Sequence, residues 1–167
     1  MLTSSVLVFG LCGFLTSFAL SFQSQGLGQG LAIGAELERI RYGEGSNPSG
    51  YSVQNTHQHM ASDYWAISVS FTVIAILAAV QLLSGQVTKT VFPLVSIAPA
   101  AIVANFLRTL IRDKAGVEDS FYEAPRNHFV ELTIAYDWFL LLLTGAVVLC
   151  SLLLIVLNCR TKTDEAI

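Results

Sequence analysis

Four long stretches of this chain carry no charged side chain, and they restrict its possible folds more than any other feature. They cover residues 1–35, 64–88, 90–107 and 138–159. A helix of about 20 apolar residues crosses the roughly 30 Å hydrocarbon core of a bilayer. The pattern therefore predicts four membrane-spanning helices, near residues 4–22, 64–84, 91–111 and 135–157.

The composition supports a membrane protein. Charged residues make up 13% of the chain and hydrophobic residues 53%, whereas a soluble domain has about 25% charged residues. We expect an all-α membrane protein, a four-transmembrane-helix bundle with short polar loops, forming one integral membrane domain over residues 1–167. The net charge of −3 offers no basic surface for nucleic acid. The expected partners are the lipid bilayer and other membrane proteins or a second copy.

The connection after the first span combines two kinds of sequence. Residues 32–42 place Ile33, Leu37 and Ile40 on one helical face, which predicts a short amphipathic loop helix at the bilayer surface. Residues 42–51 are rich in Gly, Ser, Asn and Pro, so an irregular loop is expected there.

Two spans carry small residues at helical spacing. Small side chains let helix backbones approach closely in lipid, where hydrophobicity alone does not drive helices together. We therefore predict helix-packing faces at Gly10, Gly13 and Ser17 in the first span, and at Ser68, Thr72, Ala75 and Ala79 in the second. Ile67 and Ile74 are expected on the opposite face, and Asn105 of the third span is expected to point into the bundle.

The N-terminal stretch allows a second interpretation. Residues 6–21 resemble the apolar core of a signal peptide, followed by small residues suited to cleavage. A signal peptide also needs a basic N-terminal region, and the first five residues contain no Lys or Arg. We favour a retained first span; cleavage would leave three spans.

Two signals for orientation disagree. The connections after spans one and three, with Arg108 at the edge, hold six of the nine basic residues, and the positive-inside rule would then place the termini outside. Cys159 precedes Arg160 and Lys162, which resembles a cytoplasmic flank and makes Cys159 a candidate for palmitoylation. We expect cytoplasmic termini, and the sequence does not define which membrane holds the protein.

All three histidines lie on one side of the membrane in this topology. His57 and His59 precede the second span, and His128 precedes the fourth with Glu131 three residues later. Histidine and carboxylate side chains at that spacing bind metals in helical bundles, and imidazole suits Zn, Cu or Fe. The alternative is that these residues are polar groups at the headgroup level.

Arg108 and Asp137 are the charged residues nearest to the cores of the spans. Ionisable groups at membrane depth usually pair or line a polar cavity, so we predict an Arg108–Asp137 ion pair between spans three and four. The alternative is that each side chain reaches the headgroups separately. Neither residue lies at the midplane, where a proton pump or voltage sensor carries charge.

The chain lacks the known acyl-transfer, phosphoryl-transfer and nucleophile motifs. The favoured function is a non-enzymatic, multi-pass integral membrane protein that acts by association, as a small subunit or organiser of a membrane complex. The alternatives are a small oligomeric transporter or channel, and a metal-dependent membrane enzyme that uses the histidine-bearing side. No cofactor is expected under the first two; a transition metal ion belongs to the third.

The layout of four spans with a longer first connection and a short middle one resembles claudin-like tetraspan families. Claudins carry a Trp and a cysteine pair in the first connection, but residues 22–63 contain neither. Tetraspanins carry a cysteine-rich second loop, but residues 112–128 contain no cysteine. No family's functional residues are therefore carried over to this chain.

Overall fold

The computed structural model describes residues 1–42, 50–84, 91–118 and 127–164, and all of them except Met1 are helical. These ranges contain no strand, so the predicted all-α four-helix membrane bundle is confirmed. The helices are α1 (Leu2–Tyr42), α2 (Gly50–Ser84), α3 (Val91–Glu118) and α4 (Asn127–Asp164).

Each helix contains a segment long and apolar enough to cross a membrane. The segments are Leu2–Leu27, Gln58–Ser84, Val91–Arg112 and Thr133–Arg160, and they overlap all four predicted spans. α1 has 41 residues, which at 1.5 Å per residue gives a length of about 60 Å, twice the hydrocarbon core. The helices therefore extend beyond the membrane, mostly on the side of the first and third connections.

The C-terminal part of α1, beyond its membrane-spanning segment, differs from the prediction. Residues 32–42 are helical, but they continue α1 and do not form a separate helix on the bilayer surface. Gly26 and Gly30 do not end the helix, because an interior glycine costs only about 1 kcal/mol and α1 contains no proline. The predicted irregular loop falls mostly on residues 43–49, which lie outside the described residues.

The four helices pack in a ring. α1 contacts α2 and α4, and α3 contacts the same two helices. The buried positions in each helix recur with alternating spacings of three and four residues, the pattern of helices that cross at small angles. This pattern is seen at Gly10, Gly13, Ser17, Leu20 and Ser24 in α1, at Met60, Tyr64, Ile67, Phe71, Ile74 and Ala78 in α2, at Ser96, Ala100, Val103, Leu107, Leu110 and Lys114 in α3, and at Thr133, Asp137, Leu140, Thr144, Val147 and Ser151 in α4.

α1 and α2 approach each other closely at two glycines. A Cβ atom placed on Gly10 would lie 3.1 Å from the Ala75 backbone nitrogen and 3.2 Å from its Cα. A Cβ atom on Gly13 would lie 2.5 Å from the Phe71 ring. Both glycines therefore lie at a helix–helix contact, where a larger side chain would force the two backbones or the Phe71 ring to move.

The remaining residues of the small-residue faces lie at or beside this contact. Ser17, Ser68 and Ala75 are buried, whereas Thr72 and Ala79 are half-buried. The buried face of α2 is wider than the small residues suggested, because α2 also packs against α3.

Two expectations about side-chain direction differ from the structure. Ile67 and Ile74, expected on the opposite face of α2, are fully buried, because each precedes a small residue of the stripe by one position and so lies only about 100° from it. Asn105, expected inside the bundle, is exposed. It belongs to the outward face of α3, between the buried positions Val103 and Leu107.

The buried hydroxyl groups are mostly bonded within their own helices. Ser17 donates to the Gly13 carbonyl at 2.7 Å, Ser96 to Phe92 at 2.8 Å, and Thr144 to Leu140 at 2.8 Å. Such bonds to the preceding turn satisfy a small polar side chain in an apolar environment. The hydroxyl groups of Ser24 and Ser151 are the buried side-chain polar atoms of the described residues that lack a hydrogen bond.

Candidate functional site

Three polar side chains meet inside the bundle near the end that carries the first and third connections. Lys114 of α3 forms an ion pair with the Oδ2 atom of Asp137 of α4. The Tyr64 hydroxyl of α2 donates to Asp137 Oδ1 at 2.5 Å and accepts from Lys114 Nζ at 2.6 Å. The Lys114 ammonium also lies 5.2 Å from the centre of the Tyr64 ring. We call Tyr64, Lys114 and Asp137 the polar triad.

The local sequence places each member of the polar triad on a buried helix face. Lys114 follows Leu110 by four residues, and Asp137 precedes Leu140 by three. Tyr64 has the same relation to Ile67. Residues three or four positions apart on a helix share a face, so the side chains that precede or follow the apolar core also point inward. Three helices thus bring one polar group each to the same level.

The triad is closed to solvent. Tyr64 and Asp137 are 0% exposed and Lys114 is 1% exposed. Burial lowers the pKa of the Lys114 ammonium, and the nearby Asp137 carboxylate opposes that shift. A buried charge is tolerated when it is paired and hydrogen-bonded, and here both carboxylate oxygens have a partner.

The arrangement is suited to joining helices. Each Asp137 oxygen accepts from a different helix, so α2, α3 and α4 are bonded at one point. The Lys114 ammonium bonds both other members, and the Tyr64 hydroxyl both donates and accepts. Removal of the Tyr64 hydroxyl or of Lys114 would leave a buried Asp137 oxygen without a partner, and removal of Asp137 would leave the Lys114 ammonium buried without its counter-charge; both are costly in a low-dielectric interior.

The ion pair differs from the expected one in its cation. Arg108 was expected to pair with Asp137, but the structure pairs Asp137 with Lys114, and Arg108 is exposed. The ion pair nevertheless joins spans three and four, the two spans that were predicted to be joined. Lys114 lies beyond the predicted third span, which ends near residue 111 where the hydropathy falls, but α3 continues to Glu118. The inward spacing of Leu107, Leu110 and Lys114 is the signal that identifies it.

The structure describes only part of the predicted metal site. His57 and His59 lie in the first turns of α2, and His128 and Glu131 lie at the start of α4. The His59 side chain is exposed, whereas the side chains of His57, His128 and Glu131 fall outside the described part of the structure. Among the residues that are described, no cluster of three His, Cys, Asp or Glu side chains occurs. The metal site stays a prediction.

Cys159 is exposed in the last part of α4, one residue before Arg160. This position, at the end of the membrane-spanning segment, is accessible for a thioester-linked acyl chain. Palmitoylation of Cys159 stays a prediction.

Comparison of the chain with protein-family models, curated proteins and solved structures finds no match.

Proposed function

We propose that this protein acts by association, as a small subunit or organiser of a membrane complex. The proposal rests on the part of α1 that continues beyond its membrane-spanning segment. α1 continues for fifteen residues past Leu27, and Ile33, Leu37 and Ile40 on it are 63%, 60% and 74% exposed. We call these three residues the α1 stripe.

The α1 stripe lies outside the hydrocarbon core. Ile33 is six residues past Leu27, or about 9 Å at the helical rise. The spacing of four and then three residues is that of a seam between two packed helices. The described helices of this chain leave these aliphatic side chains exposed, and contact of apolar surface with water is unfavourable. The occupant that fits is an amphipathic helix of another membrane protein.

The polar triad supports a structural scaffold because its groups are used internally. A substrate site needs groups that a substrate can reach, whereas the triad is buried and each of its members bonds the other two. On this proposal the triad holds the bundle together and the outer surfaces contact partners.

The test is site-specific photo-cross-linking in native membranes. A photoreactive amino acid at position 33, 37 or 40 should cross-link to the same partner protein at all three positions. The matched control is position 83, because Leu83 is equally apolar and 88% exposed. It lies in the last turn of α2, at the end of the bundle opposite to the α1 stripe. Leu37→Glu in the position-33 and position-40 proteins should remove their cross-links. Protein that stays without a cross-link at all three positions would refute the proposal.

A small oligomeric transporter or channel is the second candidate, and the observation that favours it is that Asp137 of the polar triad lies within a membrane-spanning segment. Ionisable side chains at membrane depth often mark ion or proton paths. Flux of a substrate or proton across proteoliposomes that contain only this protein, abolished by Asp137→Asn, would support that function. Tight vesicles with intact helical protein and no flux would argue against it.

A further inference from the structure

The outward side of the α3–α4 pair carries an open groove in the membrane-spanning region. Its volume is about 620 Å³, within the range of ligand-binding clefts. Ala101 and Ala104 of α3 and Leu141, Gly145 and Leu149 of α4 are among the residues that line it. A Cβ atom on Gly145 would meet nothing within 4 Å, so this glycine leaves space that no part of the described chain fills.

The groove wall offers no free hydrogen-bonding side chain. Its one polar side chain is Thr144, whose hydroxyl is bonded to the Leu140 carbonyl. An occupant of the groove is therefore apolar along this length. In a membrane, either an acyl chain or another helix meets that requirement.

Two polar side chains stand at one end of the groove. Arg108 follows the groove residue Ala104 by four positions and so lies one turn above the groove on α3. Asn105 directly follows Ala104 and so lies at the level where the groove ends. Both are exposed. Arg108 is four residues from the end of the apolar segment at Arg112, or about 6 Å, from which an arginine side chain reaches the headgroups.

The positive charge of Arg108 favours a lipid over a second copy of this chain as the occupant of the groove. Asp137, the acid expected to pair with Arg108, is bonded by Lys114 and Tyr64. Within the part of the chain that the structure describes, Arg108 forms no ion pair, so its positive charge is open to an outside anion. A second copy inserted in the same orientation about a two-fold axis would place Arg108 against its own equivalent at the same depth, which is repulsive. A lipid phosphate at that depth is attractive.

We propose that the α3–α4 groove is a binding site for an anionic phospholipid. The Arg108 guanidinium binds the headgroup phosphate, the Asn105 amide donates to a phosphate or ester oxygen, and one acyl chain lies along Ala104, Ala101 and Gly145. Arginine suits this role because its planar group donates two parallel hydrogen bonds to a phosphate.

The test is native mass spectrometry of the full chain in detergent, with equal amounts of phosphatidylglycerol and phosphatidylcholine of the same acyl chains. The wild type should retain phosphatidylglycerol preferentially. Arg108→Gln should lower that preference about fivefold, the factor that one basic residue supplies near an anionic headgroup, and Arg108→Lys should restore most of it. Ala101→Phe should reduce retention of both lipids, because the ring fills the groove.

Two variants serve as matched controls. Arg160→Gln removes an exposed arginine at the other membrane face, and Ala98→Phe adds a ring to an exposed alanine of α3 outside the groove. Neither should change the lipid preference. Unaltered circular dichroism of each variant establishes that it folds, and Asn105→Ala provides a second, milder test.

Three results would overturn the proposal. Equal retention of the two lipids by the wild type would show that Arg108 does not select a headgroup. The same loss in Arg108→Gln and Arg160→Gln would indicate general surface charge. A dimer that Ala101→Phe disperses, without lipid preference, would show that a second copy occupies the groove.

Discussion

The two helix pairs of this bundle are held together by different means. α1 and α2 meet through close backbone approach, with Gly10 against Ala75 and Gly13 against the Phe71 ring. α3 and α4 leave a groove of about 620 Å³ along their membrane-spanning part and are joined above it by the Lys114–Asp137 ion pair. In lipid, packing and polar contacts are the forces that associate helices; α3 and α4 combine a packed apolar core with a buried ion pair.

This difference relates to function. Close packing at Gly10 and Gly13 leaves no room for a ligand along that part of the α1–α2 contact, whereas the α3–α4 pair has an open groove along its membrane-spanning part. The polar triad also draws in α2 through Tyr64, so the looser pair is attached to the tighter one at the same level.

Lys114→Met should have the largest effect, because it leaves the Asp137 carboxylate buried without its cation. Breaking a buried ion pair by removal of one partner costs about 3–5 kcal/mol. The measurement is thermal or SDS-induced unfolding of the detergent-solubilised protein, followed by circular dichroism. Arg160→Met, which removes an exposed cation, is the control and should unfold like the wild type. Equal stability of the two variants would contradict the assigned role of Lys114.

Gly13→Leu should come next, because a Cβ atom there already lies 2.5 Å from the buried Phe71 ring. Overpacking of a tight contact typically costs about 1–3 kcal/mol. Gly145→Leu is the matched control, since a Cβ at that position meets nothing within 4 Å. It should keep or slightly raise stability, because leucine favours a helix over glycine by up to about 1 kcal/mol. A similar loss in both variants would remove the contrast between the two pairs.

Much of the fold follows from where the charges stand in the sequence. The four uncharged stretches locate the spans, and the small residues Gly10 and Gly13 mark the α1–α2 contact. The lengths of the helices do not follow, because hydropathy falls at the membrane boundary while helical hydrogen bonding continues. For this reason the sequence does not show that residues 32–42 continue α1 or that Lys114 continues α3.

The polar triad was only partly accessible from the sequence. Asp137 and the pairing of spans three and four follow from the rarity of charges near a span. Lys114 required the additional observation that the spacing from Leu107 and Leu110 continues through it. Tyr64 begins the second uncharged stretch, a position typical of an interfacial aromatic residue. Its hydrogen bonds depend on three helices meeting at one level, which no local pattern encodes.

Tyr64→Phe should have a smaller effect than either variant above. The substitution keeps the ring in place and removes one hydroxyl, so Asp137 Oδ1 loses its donor and Lys114 loses an acceptor while the ion pair remains. Loss of a hydrogen-bond partner for a buried group costs about 1–3 kcal/mol, and we expect the lower part of that range. The same unfolding assay measures it, and a loss as large as that of Lys114→Met would assign the main role to Tyr64.

Gly10→Ala should have the smallest effect. The added methyl group would lie 3.1–3.2 Å from Ala75 backbone and side-chain atoms, so the helices must separate by a few tenths of an ångström. That strain offsets the gain in helix propensity, which is about 1 kcal/mol for alanine over glycine. Gly145→Ala should show the gain without the strain. If Gly10→Ala stabilises the protein as much as Gly145→Ala does, the α1–α2 contact is looser than described.

The central claim, that an ion pair joins the open α3–α4 pair, is tested most directly by a double-mutant cycle. The free energy of unfolding is compared for the wild type, Lys114→Met, Asp137→Leu and the double variant. The double variant should lose much less than the sum of the two single losses, because apolar side chains can replace a buried ion pair at little cost. Additive losses would contradict the claim.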